Sequence, residues 1–374
     1  MHTIAVNTRF LLSKRLEGIG HFTAETLQRI TKNHPEHRFV FLFDRPYSPE
    51  FIFAPNVRPM VVPPPARHPL LWYIWFEWAV PLALKKAGAT VFVSPDGYCS
   101  LRTKVKTAMV IHDIAFEHFP QQVPTLVRNY YRYFSPRYAH RADRLITVSE
   151  YTRQDVCQTY GINPDKIDVA YNGVNPIYQP LPTSQMQAVK QQYSGGKDYF
   201  LFVGAIHPRK NLANMLLAYD RLMKEGNCQA AFLVAGRMAW QCADALQVYE
   251  TMEHKNSVVF LGHLQTAELS RIMGAALALV YVSFFEGFGI PIIEAFKAET
   301  AVITGNTSSM PEVAGNAALL VEPKSVEAIY LAMRQLYHNP TLRHSLIEKG
   351  KKQAAQFSWD ITAQNLWQSI EKIL

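Results

Sequence analysis

Cysteine is scarce. Cys99, Cys157, Cys228 and Cys242 are the four in 374 residues; none forms a C-x-x-C pair and their spacing matches no zinc site, which argues against a disulfide framework or a structural metal. There is no D-x-D pair and no H-E-x-x-H set, so the chain implies no divalent ion and no other cofactor. G-x-S-x-G is missing too, and with it the usual turn of a serine hydrolase. Nothing at the N-terminus resembles a signal peptide, and the thiols fit a reducing, cytoplasmic setting. The apolar run LLWYIWFEWAVPLAL, Leu70 to Leu84, carries Glu77 and Pro81. It is shorter than the ~18–20 residues that span a bilayer, so it is not a transmembrane helix.

What is present is a chain that is 48% hydrophobic and long enough to bury two cores of similar size. Short apolar runs alternate with helical patterns. Strands are expected at Thr3–Asn7, Arg38–Phe43, Val91–Val93, Ala108–Ile111 and Arg144–Val148, with a helix at His21–Lys32. Around 175–198, prolines, glutamines and Gly195-Gly196 interrupt the pattern before the buried run YFLFVGA, so a boundary is expected there, with domains at 1–185 and 186–358. The second half repeats the alternation in AAFLVAG, VVFLG, ALALVYV, AVITG and AALLV. This is a doubly wound α/β pattern, whose ligands bind beyond the carboxyl ends of the strands, and the crevice between the halves is the expected site.

The net charge of +8 is uneven: residues 1–180 hold 21 Lys/Arg against 14 Asp/Glu, and 181–374 hold 17 against 16. The first half therefore faces something acidic. No aromatic-basic RNA signature or zinc-finger spacing accompanies the charge, so nucleic acid is not the expected partner; an anionic membrane surface or a phosphorylated acceptor is. Two stretches bear on this. The Leu70–Leu84 run reads either as an interfacial helix or as a helix buried on its domain. Arg128, Arg132, Arg137, Arg141 and Arg144 make either a solvated helix face or a basic stripe for anionic lipid.

The most informative run is EGFGIPIIEAF, which follows the apolar strand AALALVYVSF. Gly287, Phe288 and Gly289 form a loop that allows close backbone approach, and Pro291 suits a first helical turn. A helix start offers unpaired N–H groups and roughly half a positive charge to a phosphate. Glu286 and Glu294, repelled by phosphate, suit the hydroxyls of a sugar instead. Acidic residues are also favoured in any first helical turn, so a solvated helix start is the competing explanation. In VGAIHPRKN, a strand ends at Gly204 and the loop after it delivers Arg209 and Lys210, placed to neutralise a departing diphosphate. His112-Asp113 follows the strand AMVI, where Asp113 could orient the His112 ring. Ser149 and Asn172 are cleft-lining candidates that a helix cap and an Asn-Gly turn explain as well.

Together with EGIGHFTAETL, VIHDI, LITVSEYT, VAYNGV, FLGHL, TSSMPEVAGNAALLVEP and FSWDITAQNLWQSI, these pieces resemble the retaining glycosyltransferases of the GT-B fold, group 1 or family four, across most of the chain. The resemblance implies two Rossmann-like domains facing across a cleft, with a final helix at about 359–374 packing back on the first. It implies that Glu286 contacts the donor sugar, Glu294 the ribose, Arg209 and Lys210 the diphosphate, Gly18 the β-phosphate and His112 the donor sugar, with Ser309 near the donor's phosphate or nucleoside. It also implies retention of configuration, most closely with mannosyltransferases using GDP-mannose, a saccharide or lipid-linked acceptor, and a cytoplasmic enzyme at the inner face of the membrane. Ala205 and His207 depart from the family, which often has Arg or Thr and then Glu there. A nucleotide-sugar epimerase and a catalytically silent nucleotide-binding protein are the rivals.

Overall fold

The computed structural model describes residues 1–13, 16, 18–238 and 243–374; Glu17 of the EGIG run and Cys242 lie outside these. Among the described residues, thirteen strands, all paired in parallel, build two sheets. The first holds β1 (Thr3–Asn7), β2 (Arg38–Phe43), β3 (Val57–Val61), β4 (Val91–Ser94), β5 (Lys106–Ile111), β6 (Arg144–Thr147) and β7 (Ile167–Val169), in the order β3-β2-β1-β4-β5-β6-β7. The second holds β8 (Tyr199–Val203), β9 (Ala231–Ala235), β10 (Val258–Gly262), β11 (Ala278–Tyr281), β12 (Ala301–Gly305) and β13 (Leu319–Val321), in the order β10-β9-β8-β11-β12-β13. Each sheet reverses its winding once, between β1 and β4 and between β8 and β11. Such switch points are where open α/β sheets leave room for ligands.

The sequence dictates these strands through near-continuous apolar runs, as expected where helices cover both faces of a parallel sheet. Tyr199–Val203, Ala231–Ala235 and Ala278–Tyr281 are buried at every position. Strand β3, VRPMV, escapes a pattern reading because Pro59 interrupts it. It is tolerated because β3 lies at a sheet edge, where a missing N–H costs no ladder bond.

The chain divides into one compact unit of Met1–Gly173 with Ser358–Leu374 and a second of Val174–Phe357. This places the crossing about a dozen residues before a cut at 185/186. Packing explains the difference. Tyr178 is buried and hydrogen-bonded to Glu294, and Leu181 packs over Gly274, so the proline-rich stretch is already anchored on the second unit. The final helix, Trp359–Glu371, belongs to the first unit: Thr362 Oγ1 lies 2.5 Å from the Tyr171 carbonyl, and Trp367 stacks on His34 at 3.7 Å.

Candidate active site

In the second unit, the loops after β8 and β11 flank the switch point, and chemistry-bearing residues meet there. After Gly204 the chain makes a short 3-10 turn, Pro208–Lys210, capped by His207, whose Nδ1 accepts from the Arg209 N–H at 3.2 Å. Asn211 follows in the left-handed region at φ 61°, buried, and donates from Nδ2 to the carbonyls of Val282 and Pro323 at 2.9 and 2.7 Å. That anchor fixes the turn against β11. The Phe284 N–H donates to the Arg209 carbonyl, and the Arg209 guanidinium donates to the Phe285 carbonyl at 2.8 Å.

Held in this way, Lys210 Nζ reaches Glu286 Oε1 at 2.7 Å and the Tyr281 hydroxyl at 2.8 Å, with Arg209 3.6 Å from the other Glu286 oxygen. Glu286 is 6% exposed. Burial raises its pKa, but Lys210 and Arg209 outweigh that and hold the carboxyl below its usual range. Burial and the neighbouring carboxylate push the Tyr281 phenol up, so it stays a neutral hydrogen-bonding group. His207 is held down by burial and by Arg209 and Lys210, which leaves it neutral near pH 7. The three charged side chains sum to one positive charge, which favours an anion.

The EGFG loop is braced from a second direction. Ser308, at φ 54°, accepts the Glu286 N–H at 3.0 Å, and the Ser309 hydroxyl lies 2.9 Å from the carbonyls of both Glu286 and Phe288. Gly289 then adopts φ 100°, a left-handed conformation that side chains disfavour, and Ile290–Lys297 begins as a helix with Pro291 in its first turn. Gly287 is enclosed within this loop. The enclosed Ser309 hydroxyl ties two loops together, and the Phe288 ring is buried edge-on against Phe357, so both side chains position the loop from within.

Glu294 stands apart from that cluster, one turn into the helix and hydrogen-bonded to Tyr178. It keeps some solvent exposure, yet the protein around it desolvates the carboxyl, which is pushed up to about 7 against the opposing pull of Tyr178. The two glutamates of one run thus have opposite electrostatics.

The remaining candidates lie in the first unit. Gly18 opens the helix Gly18–Asn33, and a Cβ there would meet nothing within 4 Å. His112 follows β5, edge-on to Phe22 of that helix at 5.0 Å; burial holds its pKa down. Its Nε2 faces the Pro95 carbonyl at 2.8 Å, while Asp113 accepts from the Ala115 N–H at 2.9 Å. The backbone therefore orients the imidazole, and Asp113 serves its own turn. Ser149 is fully buried and caps the helix Glu150–Tyr160 through the Thr152 N–H at 3.0 Å. Asn172 is buried beside Gly173, where a Cβ would stand 2.3 Å from the Trp359 nitrogen. Ser149 thus serves as a helix cap, and Asn172 is enclosed within the first unit. One residue at the β1/β4 switch point had no sequence signal. Arg9 is buried, bonded to Asp96 at 2.6 Å, and faces the Tyr98 ring at 4.1 Å.

Two doubly wound parallel units define a Rossmann-like class of α/β protein. The match to known families is more specific. Residues 185–353 match the model of glycosyl transferases group 1, and residues 17–177 match that of glycosyltransferase family 4. The chain belongs to the group 1 glycosyltransferases and has the GT-B fold. It is 28% identical to the O-antigen chain mannosyltransferase B of Escherichia coli, over 74% of this chain and 73% of that one. It is 29% identical to the O-antigen chain mannosyltransferase RfbU of Salmonella typhimurium, over 73% and 72%. Among solved structures it is similar to WaaG, a glycosyltransferase involved in lipopolysaccharide biosynthesis, with TM-score 0.76, 16% identity, and coverage of 96% and 97%. Membership of this family makes glycosyl transfer the general activity.

Proposed function

We propose that this protein transfers a mannosyl unit from GDP-mannose, with retention and without a metal ion, to a saccharide or lipid-linked acceptor in cell-surface polysaccharide synthesis. The observation that carries the reading is the pairing of Lys210 with Glu286 at 2.7 Å beside Arg209 and the start of the Ile290–Lys297 helix. Two cations and a helix start can receive the charge that grows on a departing diphosphate, the kind of preorganised electrostatic stabilisation that dominates many enzymes. In the proposed step the bond from the anomeric carbon to the β-phosphate oxygen breaks through an oxocarbenium-like state. The acceptor oxygen bonds to that carbon on the same face, and its proton passes to the leaving phosphate oxygen. Glu286, kept ionised, accepts sugar hydroxyls; Glu294 accepts those of the ribose; Gly18 lets the first unit's helix start approach the β-phosphate, and His112 lies against the donor sugar. The mannosyl assignment draws on the O-antigen mannosyltransferases to which the chain is similar.

The test is a thermal-shift panel of GDP, UDP, ADP and their sugars, joined to a transfer assay in a chelator. GDP or GDP-mannose should stabilise most, since ligand bound only to the native state adds RT ln(1 + [L]/Kd), and transfer should persist without free metal. Lys210→Ala should keep the fold and lose about 100- to 1000-fold in turnover. A uridine preference overturns the donor, loss of activity in chelator overturns metal independence, and a fully active Lys210→Ala protein overturns the assigned chemistry.

A further inference from the structure

The first unit has its own switch point, between β1 and β4, and a closed ring of buried polar groups ties the two strand ends together there. Asn7 Nδ2 donates to Ser94 Oγ at 3.1 Å, and Ser94 Oγ donates to Asp96 Oδ1 at 3.1 Å. Arg9 Nε donates to Asp96 Oδ2 at 2.6 Å, and the Arg9 backbone N–H returns to Asn7 Oδ1 at 3.3 Å. The guanidinium lies against the rings of Tyr98, Phe10 and Phe76, at 4.1, 4.7 and 5.2 Å.

Such a buried ion pair adds little net stability, because taking both charges out of water offsets their attraction and apolar replacements are often as stable. What the ring delivers is position. Asp96 also accepts the Tyr98 N–H at 3.3 Å, and Gly97 between them turns at φ 79°, so one carboxylate fixes both sides of the bend after β4. The carbonyl that enters this bend is that of Pro95, and it meets His112 Nε2 at 2.8 Å.

That contact decides what the imidazole can offer. A carbonyl only accepts, so Nε2 carries the hydrogen. Burial outweighs the pull of Asp113 and Asp96 and keeps the ring neutral near pH 7, which leaves a lone pair on Nδ1. Phe22 packs edge-on against the ring at 5.0 Å, and Asp113 is engaged by the Ala115 N–H. A bare Nδ1 takes a hydrogen bond from a hydroxyl and repels the oxygens of a phosphate or carboxylate. We propose that Arg9 and Asp96 are positioning residues: through the Pro95 carbonyl they hold His112 so that Nδ1 accepts from a hydroxyl of the transferred sugar. The sugar as ligand rests on the place of His112 beside the donor proposed above; the orientation of the ring does not.

NMR spectra of protein carrying nitrogen-labelled histidine, with His112 assigned by its loss in His112→Asn, should show Nε2 protonated, Nδ1 bare and a ring N–H that exchanges slowly with water. Arg9→Met with Asp96→Asn removes both charges together, so that neither is left buried alone. In this double variant the ring N–H should lose its protection and turnover should fall about ten- to a hundredfold. Affinity for GDP-mannose should fall about three- to tenfold relative to that for GDP, the worth of one neutral hydrogen bond. Ser94→Ala, which cuts the ring at one link, should show the same changes in smaller measure, and decides with the wild-type spectrum if the double variant does not fold. If the nucleotide panel selects uridine, the corresponding uridine pair replaces GDP-mannose and GDP and the expected ratio is the same, so the donor assignment can fail alone. A wild-type His112 with its proton on Nδ1, or charged at pH 7, overturns the proposal. Folded ring variants that lose melting temperature alone overturn it too, since the ring would then be structural. Variants that raise only the KM of the acceptor would give Nδ1 to an acceptor hydroxyl and overturn it equally.

Discussion

At the scale of single residues, Glu286 and Glu294 show how far environment separates two identical side chains. Glu286 is buried between cations and stays ionised; Glu294 is desolvated without one, and its pKa rises from 4.5 to about 7. A raised carboxyl favours the folded state while it is protonated there. Its contribution is complete below about 4.5 and is lost as pH rises to about 7. Without nucleotide, Glu294→Gln should therefore unfold at a similar temperature to wild type in mild acid, and at a higher one above neutrality. Melting curves against pH that run parallel for the two proteins would remove the assignment. The sequence made both glutamates visible through glycine, proline and a preceding strand. It hid Tyr281, Tyr178 and Asn211, because a strand tyrosine reads as core and the partners of these residues lie far away along the chain.

At the scale of elements, glycines at a helix start differ in what they do. Gly18 and Gly20 open the same helix, yet a Cβ at Gly18 would meet nothing while one at Gly20 would stand 2.7 Å from the Phe10 carbonyl. Gly20→Ala should lower the melting temperature by several degrees, as overpacking costs about 1–3 kcal/mol. Gly18→Ala should melt like wild type and still lose transfer, if that helix start must approach a phosphate. Equal activity in Gly18→Ala would assign the residue to a simple turn. Strand positions were largely legible in buried apolar runs. The π turn at Trp75–Ala79 was not: one inserted residue leaves no compositional trace, and only the alternation of buried and exposed positions around Glu77 reveals it.

At the scale of the whole molecule, the first unit is not continuous in sequence. The chain leaves it at Gly173 and returns at Ser358, and the returning segment supplies Trp359 over Gly173, Trp367 on His34, and Asp360 to Arg29 at 2.6 Å. A pattern reading can find the terminal helix by its periodicity, but not the surface that helix covers, because the covered residues lie far earlier in the chain, 191 positions for Tyr171 and 331 for Arg29. Removing Ser358–Leu374 should expose the apolar faces of Phe22, Phe39 and Ile30 and strip a fully buried helix face, including Leu366 and Ile370, from its contacts. Several buried side chains at about 1.5–3 kcal/mol each exceed the margin of a typical domain. Hydrogen exchange on the truncated chain should therefore show lost protection in β1, β2 and the helix Gly18–Asn33, whereas β8, β9 and β11 stay protected and still gain protection from nucleotide. Uniform loss in both units would mean that they fold as one cooperative body. Full protection of β1 and β2 would mean that the terminal helix adds little to the unit it covers.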